Sequence, residues 1–363
     1  MPKLVRFFFK FLSVIIILGV IISALLLGGA AYFNAPPKEA SYSGDAETAG
    51  LPAGLPAGLK FKDDAMILEV RKGESADSVG KRLEAAGVIK NRFFWYLLFR
   101  LDKEYMKTGV YEIALPASQA KIRSILTNGE QLLVRVTIPE GVTLGKAAQI
   151  FEDAGICEKK DFLEAASSAD ILKIYNIPGT TMEGYLYPDT YLFPLIYPAS
   201  KVVAAMADTF FNRLGEINGQ AFSMNAAELN ERVIIASIVE REYRVPEEAG
   251  IMAGVFYNRL GIGMALQSCA TVEYVITEIQ GRPHPEQLYN RDLEIRDPYN
   301  TYMIPGLPPG PISAPGETAL HAAFNPERTD YLYFRLIDLS AGKHYFSRTL
   351  DDHIRAGALY VKD

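Results

Sequence analysis

The chain has 363 residues, 49% of them hydrophobic and 22% charged, which is enough for two or three folded units with a sizeable core. Its net charge of −6 comes with no basic block beyond the first ten residues, so the phosphate-neutralising face that nucleic acid requires is missing. Twenty tyrosines and 19 phenylalanines supply rings for a core or a substrate groove.

Residues 11–33 (FLSVIIILGVIISALLLGGAAYF) carry no charge and would extend ~34 Å as a helix, against about 30 Å for a bilayer core. Lys3, Arg6 and Lys10 precede this segment and no acidic residue occurs before Glu39. The positive-inside bias therefore keeps a short tail, residues 1–10, in the cytoplasm and exports everything after the span. That predicts a single-pass protein of the plasma (inner) membrane. A cleaved signal peptide is the alternative, although its apolar part normally runs to about 7–15 residues.

Residues 34–63 are rich in Pro, Ala, Gly and Ser, repeat GLPA in tandem and lack apolar periodicity, and so are expected to be a linker that lets the folded part stand off the membrane. Residues 64–175 contain an internal repeat. Val70–Ile89 (VRKGESADSVGKRLEAAGVI) aligns without a gap on Ile138–Cys157 (IPEGVTLGKAAQIFEDAGIC). Gly73 matches Gly141, Ser75 matches Thr143, Leu83 matches Phe151, and Ala86-Gly87 matches Ala154-Gly155. Each copy reads as strand, turn glycine, Ser/Thr N-cap, short amphipathic helix and glycine C-cap. A small packing unit used twice and a carbohydrate-binding module of the LysM kind fit this pattern equally. Between the copies, FFWYLLFRL (93–101) predicts an aromatic helix whose rings serve as core or as a sugar platform.

Cys157 and Cys269 lack CxxC spacing. Export permits them to pair, yet Cys157 stands where the first copy has Ile89, the place of a small buried hydrophobe. His284, His321, His344 and His353 are scattered, without the spacing of a zinc site.

From residue 176 to 363 the pattern predicts an α+β domain with a helical centre: helices over 200–214, 226–243 and 247–260, then a Pro/Gly/Tyr-rich stretch and a closing hairpin. Asn225 is the expected N-cap of the middle helix, with Glu228 positioned to complete a capping box. That helix ends in SIVEREYR (237–244), two glutamates in an apolar run. At about 100° per residue, taking Ile234 as zero, Ile238 falls at ~40°, Ile235 at ~100° and Glu242 at ~80°. Glu240 falls at ~240°, on the less apolar side with Val233 and Ala236. A carboxyl held against isoleucines loses hydration, keeps its proton to higher pH and can serve as an acid. The alternative is that Glu242, near the helix end, turns to solvent or pairs with Arg244.

Four ordered motifs then stand out: EGYLYPDTY (183–191), ASIVERE (236–242), VFYNRL (255–260) followed by LQS (266–268), and YNTY (299–302) with GLPPGPI (306–312). Together with the N-terminal span they resemble the YceG-like (MltG) endolytic murein transglycosylases over nearly the whole chain. The resemblance implies an exported catalytic domain, residues 176–363, that cleaves the β-1,4 bond between N-acetylmuramic acid and N-acetylglucosamine to leave a 1,6-anhydro end. It makes Glu242 the catalytic residue and requires no metal or cofactor. Gln267, Ser268, Asn300, Thr301 and Tyr302 become candidates for holding the glycan strand, and Glu183, Tyr187 and Asp189 for shaping its groove. Each of these fits a turn or capping role equally. Peptidoglycan synthases are implied as partners. Cys269 occupies a position where many family members carry aspartate, and no ligand role is assigned to it. A non-catalytic peptidoglycan-binding scaffold and a hydrolytic muramidase are the competing readings, the latter needing a second carboxylate.

Overall fold

The computed structural model describes residues 3–37, 58–62, 64–102 and 104–359. They form two compact units, residues 1–133 with 194–196 and residues 134–193 with 197–363. The part of the expected linker from 38 to 57 lies outside the described residues.

The first unit begins with α1 (Lys3–Asn34), whose stretch Lys10–Asn34 is long and apolar enough to cross a membrane. Strands β1 (Leu59–Lys62), β2 (Ala65–Val70) and β3 (Gly109–Ala114) make an antiparallel sheet in that order. Helices α2 (Ala76–Ala85), α3 (Arg92–Asp102) and α4 (Gln119–Asn128) accompany it. Met66, Leu68 and Val70 alternate inward along β2, as period-2 geometry dictates. They share a core with Val79 and Leu83 of α2, Trp95 and Phe99 of α3, and Ile122 and Leu126 of α4. Trp95 is 0% exposed and its indole Nε1 donates to Ala76 O at 2.8 Å. Gly80 makes that fit possible, since a Cβ there would stand 2.6 Å from Trp95 Cδ1. The tryptophan is therefore core and not a sugar platform. The linker expected through residue 63 ends earlier: Leu59 and Phe61 are buried and LKFK pairs with β2, Leu59 opposite Leu68. Two apolar side chains at alternate positions are enough to draw this short segment onto the sheet.

The second unit opens with β4 (Leu133–Thr137) and α5 (Leu144–Asp153), followed by α6 (Lys159–Ala166) and α7 (Ala169–Ile174). β5 (Thr190–Pro194) pairs with β4. The long helices α8 (Ala199–Ile217), α9 (Ala226–Glu242) and α10 (Pro246–Gly261) form its centre. Short α11 (Cys269–Tyr274) runs into a π turn, Val275–Ile279, and α12 (Asn290–Leu293) and α13 (Glu317–Phe324) follow. A hairpin of β6 (Tyr333–Asp338) and β7 (Lys343–Ser347) and then α14 (Leu350–Arg355) complete it.

The two sequence repeats adopt the same local geometry. Ser75 Oγ accepts from Ser78 N and Thr143 Oγ1 from Lys146 N, both at 3.2 Å. Gly73 and Gly141 take φ of 76° and 71°, and Gly87 and Gly155 take 68° and 70°, values that favour glycine. Yet the copies fall in different units, so the region expected to span 64–175 is divided. The second copy joins later segments: Ile138 N donates to Asp189 O at 2.9 Å, and Gly141 and Val142 exchange bonds with Ala314 at 2.8 Å.

Helix α9 is the axis of the second unit, with α10 and α13 packed against it. Every residue from Val233 to Val239 is buried. The apolar arc read from the helix wheel is thus not its only buried side, because a helix enclosed by neighbours buries all faces. Ser237, fully buried, accepts from Ile312 N at 3.0 Å, and its carbonyl takes Ser313 Oγ at 3.0 Å. Those bonds lay the GLPPGPI segment along α9.

Candidate active site

Asn225 Oδ1 caps α9 by accepting from Glu228 N at 3.0 Å. At the other end the backbone turns extended at Tyr243, which leaves Glu242 as the last helical residue, half-buried. Ser268 Oγ donates to Glu242 Oε1. Burial pushes the Glu242 carboxyl above the ordinary carboxylate range; the bond from Ser268 draws it back, Glu273 repels it upward, and Arg241 and Ala270 N–H again lower it. Among the described residues Glu242 has no ion-pair partner. A carboxyl desolvated in this way, with a hydroxyl aimed at one oxygen, is suited to give and retake a proton.

The loop before α11 sets the position of Ser268. Gln267 adopts a left-handed backbone, φ 52°, a conformation that a non-glycine residue holds at a cost, and its N–H donates to Thr301 O at 3.1 Å. Ser268 N donates to Thr301 Oγ1 at 3.0 Å. Thr271 Oγ1 lies 2.9 Å from Thr301 Oγ1 and donates to Ser268 O at 2.7 Å. Ser268, Thr271 and Thr301 are all buried. Asn300, also buried, donates to Leu293 O and Ile295 O and accepts from Tyr302 N. Both amide hydrogens of Asn300 are thereby taken up by backbone carbonyls of the protein, and Thr301 beside it is buried. Tyr302 is half-buried, its hydroxyl 3.2 Å from the sulfur of the exposed Cys269. Gln267 is exposed. Both cysteines are free.

Two arginines close the constellation, and sequence reasoning assigned neither a role. Arg259, buried, donates at 2.6 Å to both Leu332 O and Leu266 O, fixing the chain immediately before Gln267. Burial lowers its pKa, while Tyr333, Tyr302 and Glu242 act the other way. Arg241 donates to Glu273 Oε2 at 2.9 Å and to Gly141 O at 3.2 Å, and His284 Nε2 stands 3.4 Å from the same carboxylate oxygen. Arg241 is thereby committed to Glu273, not to its neighbour Glu242.

The remaining candidates have other partners. Glu183 is buried and accepts from Leu144 N with both oxygens, at 3.1 and 3.0 Å, at the start of α5; burial pushes its pKa up to about 8. Gly184, φ 80°, leaves no room for a Cβ beside Pro311, so the EGY motif is a packing junction. Tyr187 is buried, its carbonyl accepting from Tyr191 OH at 2.7 Å, and Asp189 is exposed, its Oδ1 accepting from Thr190 N at 2.6 Å. Neither contact leads toward Glu242. Glu240 accepts from Gly316 N at 2.9 Å, and burial with repulsion from Glu140 raises its pKa to about 7. Among the described residues no group of three or more His, Cys, Asp or Glu is placed to hold a metal.

The pattern of the YceG-like family matches residues 68–358. An endolytic murein transglycosylase of Streptococcus pneumoniae (serotype 2, strain D39) is 28% identical over 320 residues, covering 80% of this chain and 58% of its own. One from Bacillus subtilis (strain 168) is 28% identical over 312 residues, covering 81% and 84%. The chain thus spans little more than half the length of the streptococcal relative. A crystal structure of a yceG-like protein from Listeria monocytogenes superposes with a TM-score of 0.54 at 30% identity, covering 80% of this chain and 98% of that one.

Proposed function

We propose, since this chain belongs to the YceG-like family, that it is a membrane-anchored endolytic transglycosylase of peptidoglycan. The observation that carries the reading is the pairing of Ser268 Oγ with the half-buried carboxyl of Glu242, an acid with no ion-pair partner among the described residues. Protonated Glu242 gives its proton to the oxygen linking C1 of N-acetylmuramic acid to O4 of N-acetylglucosamine, and the C1–O4 bond breaks. The carboxylate so formed is held by Ser268. It then takes the proton of the C6 hydroxyl as O6 bonds to C1, leaving a 1,6-anhydro ring and consuming no water. One carboxyl performs both transfers, whereas hydrolysis needs a second to activate water.

In this reading Gln267 and Tyr302, at the solvent side, hold the glycan, while Asn300, Thr301 and Ser268 hold the shape of the site. Tyr187 and Asp189 are given no contact with the reacting bond. Helix α1 keeps the enzyme in the plasma membrane with its fold outside, near strands as they are made. Peptidoglycan synthases are then its partners, and the reaction ends nascent strands. A glycan-binding role of the LysM kind for the first unit rests only on its strand, turn and capped helix.

The test is mass spectrometry of fragments released from purified peptidoglycan by the full chain in detergent, with Glu242→Gln alongside. Anhydro-muramoyl ends from the parent and none from the variant are expected. Ends heavier by one water would establish hydrolysis, and binding without cleavage by either protein would establish a scaffold.

A further inference from the structure

We infer that the outward face of α3 lies in the headgroup region of the bilayer that α1 crosses, seating the first unit on the membrane. The inference rests on reading α1 as a membrane span.

Helix α3 turns Trp95 and Phe99 into the core. Its opposite side presents Phe93, 69% exposed, Tyr96, 39%, Leu97, 37%, and Leu101, 69%. The spacing i, i+3, i+4 and i+8 places all four on one face. Single exposed apolar residues are ordinary, but four large ones on one face of an eleven-residue helix are not. Arg92 and Arg100 are also exposed, and Tyr105, just past the helix, is 86% exposed. Large apolar and aromatic residues flanked by arginine are the composition of a helix lying in a membrane interface. There the rings enter the boundary, and the arginine stems extend to bring their charge to the phosphates.

The occupant of this face follows from what α3 is attached to. The last turn of α1 docks on the same unit. Lys90 Nζ donates to Tyr32 O at 3.0 Å and sits 4.3 Å from the centre of the Tyr32 ring. Gln119 Nε2 donates to Phe33 O at 2.9 Å, and Asn34 Oδ1 accepts from Ala120 N at 2.8 Å. The Phe33 and Phe94 rings meet at 6.2 Å. The bonds to Tyr32 O and Phe33 O satisfy carbonyls that the end of α1 leaves open, and the bond to Asn34 Oδ1 satisfies an open N–H at the start of α4; Tyr32 and Phe33 supply the aromatic residues that mark a membrane–water boundary. Phe94 belongs to α3, so α3 is held beside the point where α1 leaves the hydrocarbon. The stand-off expected from the linker is replaced, for this unit, by direct seating.

The experiment uses the full chain with Cys157→Ser and Cys269→Ser, reconstituted into phosphatidylcholine and phosphatidylglycerol vesicles. A single cysteine carrying an environment-sensitive fluorophore is placed by Leu101→Cys on α3, by Leu25→Cys on α1, or by Glu112→Cys, exposed on β3 between the buried Tyr111 and Ile113 and so on the sheet face turned away from the core helices. A lipid with a spin-label quencher near its headgroup is then titrated in for the first and third labels, and one with the quencher deep in its acyl chain for the second. Strong quenching at 101 and 25, and several-fold weaker quenching at 112, is the expected result. Quenching at 25 with none at 101 beyond that at 112 overturns the inference and leaves the anchor standing. No quenching at 25 removes the anchor, and the inference with it. A label at 101 that is shielded but unquenched, and exposed on lowering the protein-to-lipid ratio, assigns the face to a second copy of the chain and also overturns the inference.

Discussion

Ser268 and Glu242, separated by 26 positions in sequence, are joined by a hydrogen bond from the serine hydroxyl to Oε1. The bond favours the carboxylate and so lowers a pKa that burial raises. Ser268 itself is held from behind by Thr301 and Thr271. The pair therefore adjusts when the acid lets go of its proton as well as where it points.

Replacing Ser268 by alanine should move the pH profile upward. In the proposed mechanism cleavage needs protonated Glu242, so kcat/KM falls as pH rises through its pKa. Without the donated bond that pKa rises further and the falling limb shifts to higher pH. The maximal rate should drop by about 10- to 100-fold, since a hydrogen bond to a charged group contributes about 1.5–3 kcal/mol. A pH–rate profile with an unmoved limb would contradict the assignment.

Glu273→Gln should move the same limb the other way. The charges facing Glu242 are Glu273 from α11, Arg241 from its own helix and Arg259 from α10. Neutralising Glu273 removes a repulsion and releases Arg241 from its 2.9 Å ion pair. Both effects favour the Glu242 carboxylate, so the limb moves to lower pH, and activity at neutral pH falls more than activity under acid conditions. Opposite shifts for Ser268→Ala and Glu273→Gln, measured on one substrate preparation, would separate electrostatic tuning from a general loss of structure.

Cys269 is exposed and its sulfur lies 3.2 Å from Tyr302 OH, one residue from Ser268. A maleimide there should obstruct the glycan site. Labelling the Cys157→Ser protein to completion is expected to slow cleavage, with Cys269→Ser resistant to the reagent; full labelling with unchanged turnover would place the thiol outside the groove.

What the sequence could and could not show follows the range of the interactions. The caps at Ser75, Thr143 and Asn225 involve residues three apart, and capping is legible because its chemistry is local. Strand β1 escaped notice because LKFK is too short to display a period after a Pro/Gly-rich stretch. Glu242 stands out as a candidate acid through its motif and its place on the wheel, but the wheel assumes one buried side, and α9 is enclosed from Val233 to Val239. The parts played by Arg259 and Thr271 depend on partners 73 and 30 residues away. No local pattern announces those bonds, and only the fold assembles them.

Glu183 provides a test of buried charge that is independent of catalysis. Its carboxyl spans Leu144 N at the start of α5 and receives the Tyr274 hydroxyl at 3.4 Å. Burial nevertheless dominates and carries its pKa from an ordinary 4.5 to about 8. Below 4.5 both folded and unfolded chains are protonated at this position, and its contribution to stability is complete. As pH climbs from about 4.5 to about 8 the unfolded chain ionises while the folded one keeps its proton, so stability is lost across that window, by an amount on the order of several kcal/mol. Glutamine does not titrate, and its carbonyl oxygen can still accept from Leu144 N. The Glu183→Gln protein should therefore show a flatter Tm between pH 5 and 9 and exceed the parent at the alkaline end. Glu240 and Glu242 are raised in the same sense and leave both proteins a residual slope, so the difference between the two curves isolates Glu183. Parallel curves would mean that Glu183 is already ionised in the folded state, and that the α5 N-terminus, not burial, governs this carboxyl.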